Sequence, residues 1–355
     1  MPTRTRTSAE PRTAAAAIRA GDESAFVALA ERYRRQLHVH CYRMLGSLED
    51  AEDLVQESIL RAWRRRTSFE GRSSFRGWLY RIATNACLDF LERRPARVLA
   101  PDVVPASDPL VELPAPAELP WLDPYPNRLL EPAASRHEEP EAVVVGKETI
   151  ELAFMAAIQH LPPRRRAVLI LRDVLGWSAK DTAAALAVSV ASANSSLQRA
   201  RATLKAHLPP RRLDWAASAE PSASERALLD RYMQAHEQGD MNSLARLLRE
   251  DARVSAAPLP LWFDGRDAFL ASARRSAAAG RFRFLATGAN RQLAAASYVR
   301  ESGRLDYRPL AIDVLRIEAD RVAEITTFLR PDLFAAFGLP PSCDDFLGAG
   351  PSQRT

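Results

Sequence analysis

The sequence predicts a multidomain chain: two all-α modules joined by a proline-rich linker, and a separate C-terminal α+β domain. Three observations carry that expectation. Residues 14 to about 94 and about 142 to 208 place apolar side chains at three- and four-residue intervals, the helical period. Between Pro95 and Pro140 that period disappears and proline becomes dense, as in a connector. Beyond Ser224 a helical stretch gives way to short apolar or alternating runs bounded by Gly, Asp or Arg, the pattern of strands. A chain of 355 residues with 47% hydrophobic content can supply two or three cores.

The expected boundaries are a tail over 1–13, a helical module over 14–98 and a linker over 99–146. A second helical module over 147–212, an α+β domain over 213–345 and a tail over 346–355 follow. Charge follows the same division. Residues 1–98 carry 18 arginines against 12 acids, net +6; residues 99–147 are net −6, residues 148–212 net +6, and the remainder net −1. Two basic blocks on an acidic tether suit two phosphate-facing modules, although arginine-rich helices also solvate their own outer faces. No apolar run approaches the ~18 residues of a membrane span, and Met1 to Pro11 lacks the apolar core of a secretory signal. Cys41, Cys87 and Cys343 have no metal-ligand spacing and suit a reducing compartment, so the expectation is a cytoplasmic protein without metal or cofactor.

In the first module, a helix over Leu48 to Arg66 would bury Leu48, Ala51, Val55, Ile59 and Ala62. Glu49, Asp53, Gln56 and Glu57 gather on the other side around Leu60. A leucine ringed by acids and an amide suggests a protein-binding face; a solvated acidic face is the plain alternative. The next helix, Phe75 to Arg94, would bury Phe75, Leu79, Ala83, Ala86 and Phe90. Trp78, Arg81 and Asn85 then share another face, flanked by Arg76 and Tyr80. Aromatic rings stack unpaired bases, Arg holds phosphate and Asn reads a base edge, so this face could read a single strand. Trp78 and Tyr80 could equally complete the core.

The second module has a proline-led helix from Leu161-Pro162-Pro163 and a Ser178-x-x-Asp181 capping pattern. A short helix to about Leu186, the connection Ala187-Val188-Ser189 and a longer helix from Val190 to about His207 complete a helix-turn-helix. Ala193, Leu197, Ala200, Leu204 and Leu208 face inward. Ser192, Ser195, Ser196, Gln198, Arg199 and Lys205 face outward, where a recognition helix meets the major groove. Within the linker, Pro120-Trp121-Leu122-Asp123-Pro124-Tyr125-Pro126 is aromatic enough to suggest docking on a neighbouring domain.

These segments resemble the sigma-70 family in its extracytoplasmic-function (ECF) group. Glu49-Asp50-Ala51-Glu52-Asp53-Leu54-Val55-Gln56-Glu57 and Leu60-Arg61-Ala62-Trp63 look like the part of sigma domain 2 that grips the β′ subunit of core RNA polymerase. Phe75-Arg76-Gly77-Trp78-Leu79-Tyr80-Arg81-Ile82-Ala83-Thr84-Asn85 resembles the part that melts and reads the −10 element. Leu161 to Arg201 resembles sigma domain 4, the −35 reader. The resemblance implies a promoter-specificity subunit, not an enzyme, with core RNA polymerase (β′ and β subunits) and promoter DNA as partners and no membrane. It assigns Asp53, Gln56, Glu57 and Leu60 to polymerase. Trp78, Arg81 and Asn85 fall to the melted strand, and Ser192, Ser195, Gln198 and Arg199 to duplex DNA. One departure stands out: Val190 to Ser196 carries no basic residue, so the promoter sequence does not transfer from relatives.

The C-terminal third resembles the SnoaL-like branch of the nuclear transport factor 2-like fold, a curved sheet and helices around a conical pocket. That resemblance implies a domain regulating the sigma modules in cis, with room for a small-molecule ligand. Trp262 and Phe263 are the expected contacts to the pocket or the sigma modules, with Trp121 and Tyr125 docking there. Tyr232, His236, Asp264 and Asp313 are the residues with acid–base chemistry, but they form no motif. A small-molecule-converting enzyme with a DNA-binding appendage is the alternative.

Overall fold

The computed structural model describes residues 16–69, 74–110, 114–130, 150–208, 221–276 and 280–343. The expected tails 1–13 and 346–355, and the junction at Leu213, lie outside them. Two compact units emerge. One combines the two helical modules; the other combines residues 98–133 with the C-terminal part from Ser218.

The first unit opens with α1 (Glu23–Leu45), α2 (Leu48–Arg64) and α3 (Phe75–Leu91), packed on one another. Each start is capped by the side chain the sequence places there: Asp22 accepts from Ala25 N, Ser47 from Asp50 N and Ser74 from Gly77 N. Gly46 closes α1 at φ 71°, a left-handed turn suited to glycine, and its N–H donates to Tyr42 O at 2.7 Å. The second module contributes α4 (Leu152–Gln159), α5 (Pro163–Leu169), α6 (Ala179–Ala185) and α7 (Val190–His207), with a wider helical turn over Ile170–Val174. Ser178 and Ser189 cap α6 and α7 by accepting from Asp181 N and Ser192 N at 3.0 and 3.1 Å. Ala187, at φ 53°, makes the sharp turn between them.

Every residue from Leu37 to Leu48 is buried, polar ones included. A helix against a single neighbour keeps one face wet, so this half of α1 is covered on more than one side. The second module supplies cover: α5 packs on α1 and α3. Its Arg166 is 1% exposed and donates to Met44 O at the end of α1, to Gln159 Oε1 at 2.7 Å and to Gln159 O at 3.0 Å. Burial pushes this guanidinium down to about 10, which leaves it charged at neutral pH.

The second unit is α+β, in line with the expected fold class. α8 (Ala223–Gln238) and α9 (Met241–Leu247) lead into β1 (Leu248–Ala257), β2 (Trp262–Asp264) and α10 (Arg266–Ser276). Then come β3 (Arg281–Ala289), β4 (Gln292–Arg300), β5 (Arg308–Glu318), β6 (Arg321–Phe328) and the short α11 (Phe334–Phe337). The six-stranded sheet has the order β2-β1-β6-β5-β4-β3, and β1 pairs with β6 in parallel while the other pairs are antiparallel. α8 packs on β3 and β4, and its Leu228, Leu229 and Tyr232 share a core with Leu270, Ala295, Leu315 and Ile325. Consecutive residues Ala294–Tyr298 and Ala311–Leu315 are buried, so both sheet faces are covered.

The described part of the segment read as linker, 98–110 and 114–130, falls in the C-terminal unit, including the stretch 120–126 expected to dock. Proline and aromatic residues give it no periodicity, yet its backbone is held. Val98 N donates to Pro120 O and Leu122 N to Val98 O, and Leu122 and Tyr125 are each 1% exposed. Asn290 N donates to Tyr125 O and Tyr125 N to Asn290 Oδ1, both at 2.8 Å, at the turn joining β3 to β4. Arg128 Nε donates to Ala336 O at 2.6 Å, and Asp123 pairs with Arg330 at 3.1 Å. A side chain at Gly288 would put its Cβ 2.3 Å from Asn127 Nδ2, so any larger residue there would displace the Asn127 side chain that accepts from Arg291 N.

Candidate functional site

On α2 the expected acidic face is outward. Asp53 and Gln56 are exposed, Glu57 is half-buried, and Leu60 is 51% exposed in their midst. Glu57 accepts from Arg61 Nε at 2.8 Å, and Arg61 also reaches Asp89 on α3 at 2.9 Å, which holds one edge of the face in place. Gln56 donates to Glu52 at 3.2 Å. The stripe beneath is buried as expected at Leu48, Ala51, Val55 and Ala62, with Leu54 added; Ile59 is only half-buried.

The face expected on α3 divides. Arg81 and Asn85 are exposed, but Trp78 is 2% and Tyr80 1% exposed, so neither ring is presented to a base in this arrangement. The two are buried by different partners. Trp78 sits among rings of its own module, with centroids 5.2 Å from Phe69 and 5.6 Å from Phe75. Tyr80 lies 5.0 Å from His40 on α1 and 6.3 Å from Trp177 of the second module. Half-buried Arg76 lies over the Tyr80 ring at 5.2 Å and donates to Gln36 at 3.1 Å. Aromatic residues satisfy a core and a stacking surface equally well, so the helical pattern could not separate the two roles.

His40, beneath Tyr80, is completely buried. Thr84 Oγ1 donates to Tyr80 O at 2.7 Å, so His40 Nε2, 2.9 Å from that hydroxyl, carries the ring proton and donates to it. Nδ1 is buried without a hydrogen-bond partner. Burial pushes this imidazole down to about 3, and the Arg43 and Arg76 charges act the same way.

On α7, Ala193, Leu197, Ala200 and Leu204 face the core and Leu208 is half-buried. Ser192, Gln198, Arg199 and Lys205 are exposed, while Ser195 and Ser196 are half-buried. Arg199 and Lys205 have no ion-pair partner among the described residues, whereas Arg201 is held by Asp173 at 2.6 Å. The outward row therefore offers free cations, an amide and hydroxyls along one groove-sized helix.

In the second unit Trp262 and Phe263 part company. Trp262 Nε1 donates to Val104 O at 2.9 Å and its own carbonyl accepts from Ser107 N at 2.8 Å, so it does hold the proline-rich segment. Phe263, the next strand residue, points to the opposite side of the sheet and is a core residue rather than a docking contact. Trp121 is buried and donates to Ala117 O within its own segment at 2.9 Å. Sequence reasoning missed Asp123, Asn127, Arg128 and Asn290 as anchors, because their partners lie more than 160 residues away. No helix among the described residues is long and apolar enough to cross a membrane.

Comparison with known proteins gives a consistent picture. A family model described as sigma-70 region 2 matches residues 29–97, and one described as sigma-70 region 4 matches residues 151–204. The ECF RNA polymerase sigma factor SigG of Mycobacterium tuberculosis (strain ATCC 25618 / H37Rv) is 43% identical over 321 residues, which cover 89% of this chain and 84% of SigG. SigM of the same strain, another ECF RNA polymerase sigma factor, is 33% identical over 187 residues, 52% of this chain and 78% of SigM. The SigG match is too long to end with region 4, so it takes in α+β sequence as well. The crystal structure of the extracytoplasmic function sigma factor SigJ of Mycobacterium tuberculosis shares the fold, with a TM-score of 0.55 at 21% identity. That match covers 89% of this chain and 99% of the SigJ chain.

Proposed function

The chain belongs to the ECF RNA polymerase sigma factors, and from that premise we propose how its faces divide the work of promoter recognition. The α2 face of Asp53, Gln56, Glu57 and Leu60 takes the β′ subunit of core polymerase: a small apolar centre with a polar rim suits a protein partner. The outward row of α7, Ser192, Ser195, Ser196, Gln198, Arg199 and Lys205, enters the major groove at the −35 element. Arg81 and Asn85 meet the melted −10 strand. Tyr80 and Arg76 join them when the second module leaves α3, and Trp78 supports this face from below. The observation that carries this reading is the coexistence of an unpaired polar row on a helix-turn-helix and an exposed, acid-ringed leucine in one chain.

The packing of the two modules supports regulation in cis. With Arg166 bonded to Met44 O and Trp177 beside Tyr80, this arrangement is a closed form in which the second module covers part of the α3 face. Residues 98–130 connect the modules and are anchored to the C-terminal unit. That anchoring supports a role for the C-terminal unit, and for a small-molecule ligand bound in it, in regulating the modules in cis.

Run-off transcription from the gene's own upstream region, with purified core polymerase, tests the reading. The full chain should yield a discrete transcript, and residues 1–212 a stronger one. A weaker or equal transcript from 1–212 would remove the cis-inhibitory role. No transcript and no core binding from either would remove the site assignments.

A further inference from the structure

The second unit buries a polar cluster that promoter recognition does not use. Of Tyr232, His236, Asp264 and Asp313, three meet; Asp264 is exposed on β2. Tyr232 Oη donates to Asp313 Oδ2 at 3.0 Å. Thr327, the cross-strand partner of Asp313, donates its hydroxyl to Oδ1 at 2.7 Å. The His236 ring lies 4.2 Å from that of Tyr232. Its Nδ1 is 2.9 Å from the Tyr232 carbonyl, which can only accept, so Nδ1 carries the proton and Nε2 presents a lone pair.

Every donor in the cluster is thus engaged, and what remains is acceptors: carboxylate lone pairs, Nε2 and ring faces. Phe284 and Phe269 stand 5.4 and 6.5 Å from the imidazole. His236 and both phenylalanines are half-buried, so this end of the cluster reaches the surface, while Tyr232 and Asp313 lie beneath. Packing alone does not call for these groups, since the surrounding core is otherwise aliphatic and aromatic. The surroundings also oppose charge: burial pushes the Asp313 carboxyl up and the His236 imidazole down. An anion meets only acceptors, and an ammonium would have to shed its water to enter. A neutral hydrogen-bond donor on a flat apolar body meets neither obstacle.

We propose that Tyr232, His236, Asp313 and Thr327 form a binding site for a small neutral phenol, whose hydroxyl donates to His236 Nε2 and whose ring lies against Phe269 and Phe284. This deepens the ligand-sensing reading of the C-terminal unit and stands apart from the polymerase reading.

The test is titration of the full chain with 2-naphthol, 2-methylnaphthalene, 2-naphthoate and 2-naphthylmethylammonium, followed by saturation-transfer NMR and calorimetry. The naphthol should bind about tenfold or more tightly than each of the others, as expected for one well-placed buried hydrogen bond. His236→Phe should abolish its advantage over 2-methylnaphthalene while the melting transition is kept. Absence of naphthol binding up to its solubility limit would overturn the proposal. So would equal binding of the methyl compound, tighter binding of either ion, or an undiminished preference in His236→Phe. Should that variant fail to fold, the four-probe comparison on the unmodified chain decides. Run-off transcription is a separate readout, so failure here leaves the sigma reading intact, and the reverse.

Discussion

Helices α3 and α7 are nearly equal in length, 17 and 18 residues, and both carry faces proposed above to meet DNA. α3 buries eleven of its residues and α7 four, because α3 packs on α1, α2 and the second module's α5, whereas α7 keeps its polar row outward. A central helix must place its reading groups at the few positions its neighbours leave open. A peripheral one can offer a whole face. On the roles proposed for them, the difference teaches that α7 can meet DNA as it stands, whereas α3 depends on which neighbours are present.

The largest effect should come from the core of α3. Trp78→Ala should cost the helical unit about 3–5 kcal/mol in chemical denaturation, as for a buried aromatic among rings. Gln198→Ala on α7 should stay within about 0.5 kcal/mol in the same assay. A loss below about 1 kcal/mol for Trp78→Ala would mean that this ring is not core, and the contrast between the helices would collapse.

Arg166→Met sharpens the contrast from the other module. It removes donors to Met44 O, Gln159 O and Leu161 O from a buried site, and should cost about 2–3 kcal/mol. Tyr80 is covered in part by Trp177, so amide exchange at the end of α1 and accessibility of Tyr80 should both rise, while Trp78 stays protected. Equal exposure of Trp78 and Tyr80 would show that their burial has a common origin.

Much of this architecture was legible because local chemistry and tertiary structure agree. The capping pattern at Ser178, the connection over 187–189 and the inward stripe of α7 are all local features, and β3 to β6 are short apolar or alternating runs between turn residues. β1 was missed. Its Arg249, Glu250 and Asp251 break the alternation, and its parallel pairing comes from β6, some seventy residues on. The docked segment 98–130 was read as aromatic-rich but not as part of a domain. Its anchors are single side chains reaching distant carbonyls, and such contacts leave no periodic trace. Among the site residues, Asp53 and Gln56 on α2 and Ser192, Gln198, Arg199 and Lys205 on α7 were expected outward and are exposed, while Glu57, Ser195 and Ser196 are half-buried. Trp78, Tyr80 and Phe263 are buried, since an aromatic residue is as much at home in a core as on a binding face.

A smaller effect separates base reading from charge on α7. Gln198→Ala should lower affinity for the cognate −35 duplex by about 1–2 kcal/mol and relax specificity at one position, measured by binding to single-base variants. Lys205→Ala should weaken all sequences alike and reduce the salt slope by about one. A sequence-independent loss for Gln198→Ala would make that residue a phosphate contact.

The smallest effect is a pH dependence belonging to the buried helix. In the folded unit His40 stays neutral down to about 3, whereas the unfolded chain takes up a proton near the ordinary value of 6.5. Stability is therefore full above about 6.5 and falls as pH drops through the window from 6.5 to 3. Its slope approaches about 1.4 kcal/mol per pH unit, or roughly 1 kcal/mol between neutrality and pH 5.5. The proton has nowhere to go in the folded state, because Nδ1 is buried without a partner beside two arginines. Hydrogen exchange at pH 7 and 5.5 should show α3 and the end of α1 loosening together. His40→Gln, neutral throughout, should flatten that response. α7 carries no buried imidazole; its His207 is exposed and bonded to the Thr203 carbonyl within the same helix. If α7 loosened as steeply as α3, and the His40→Gln variant did not change this, the acid response would belong to the shared module contact rather than to the core beneath Tyr80.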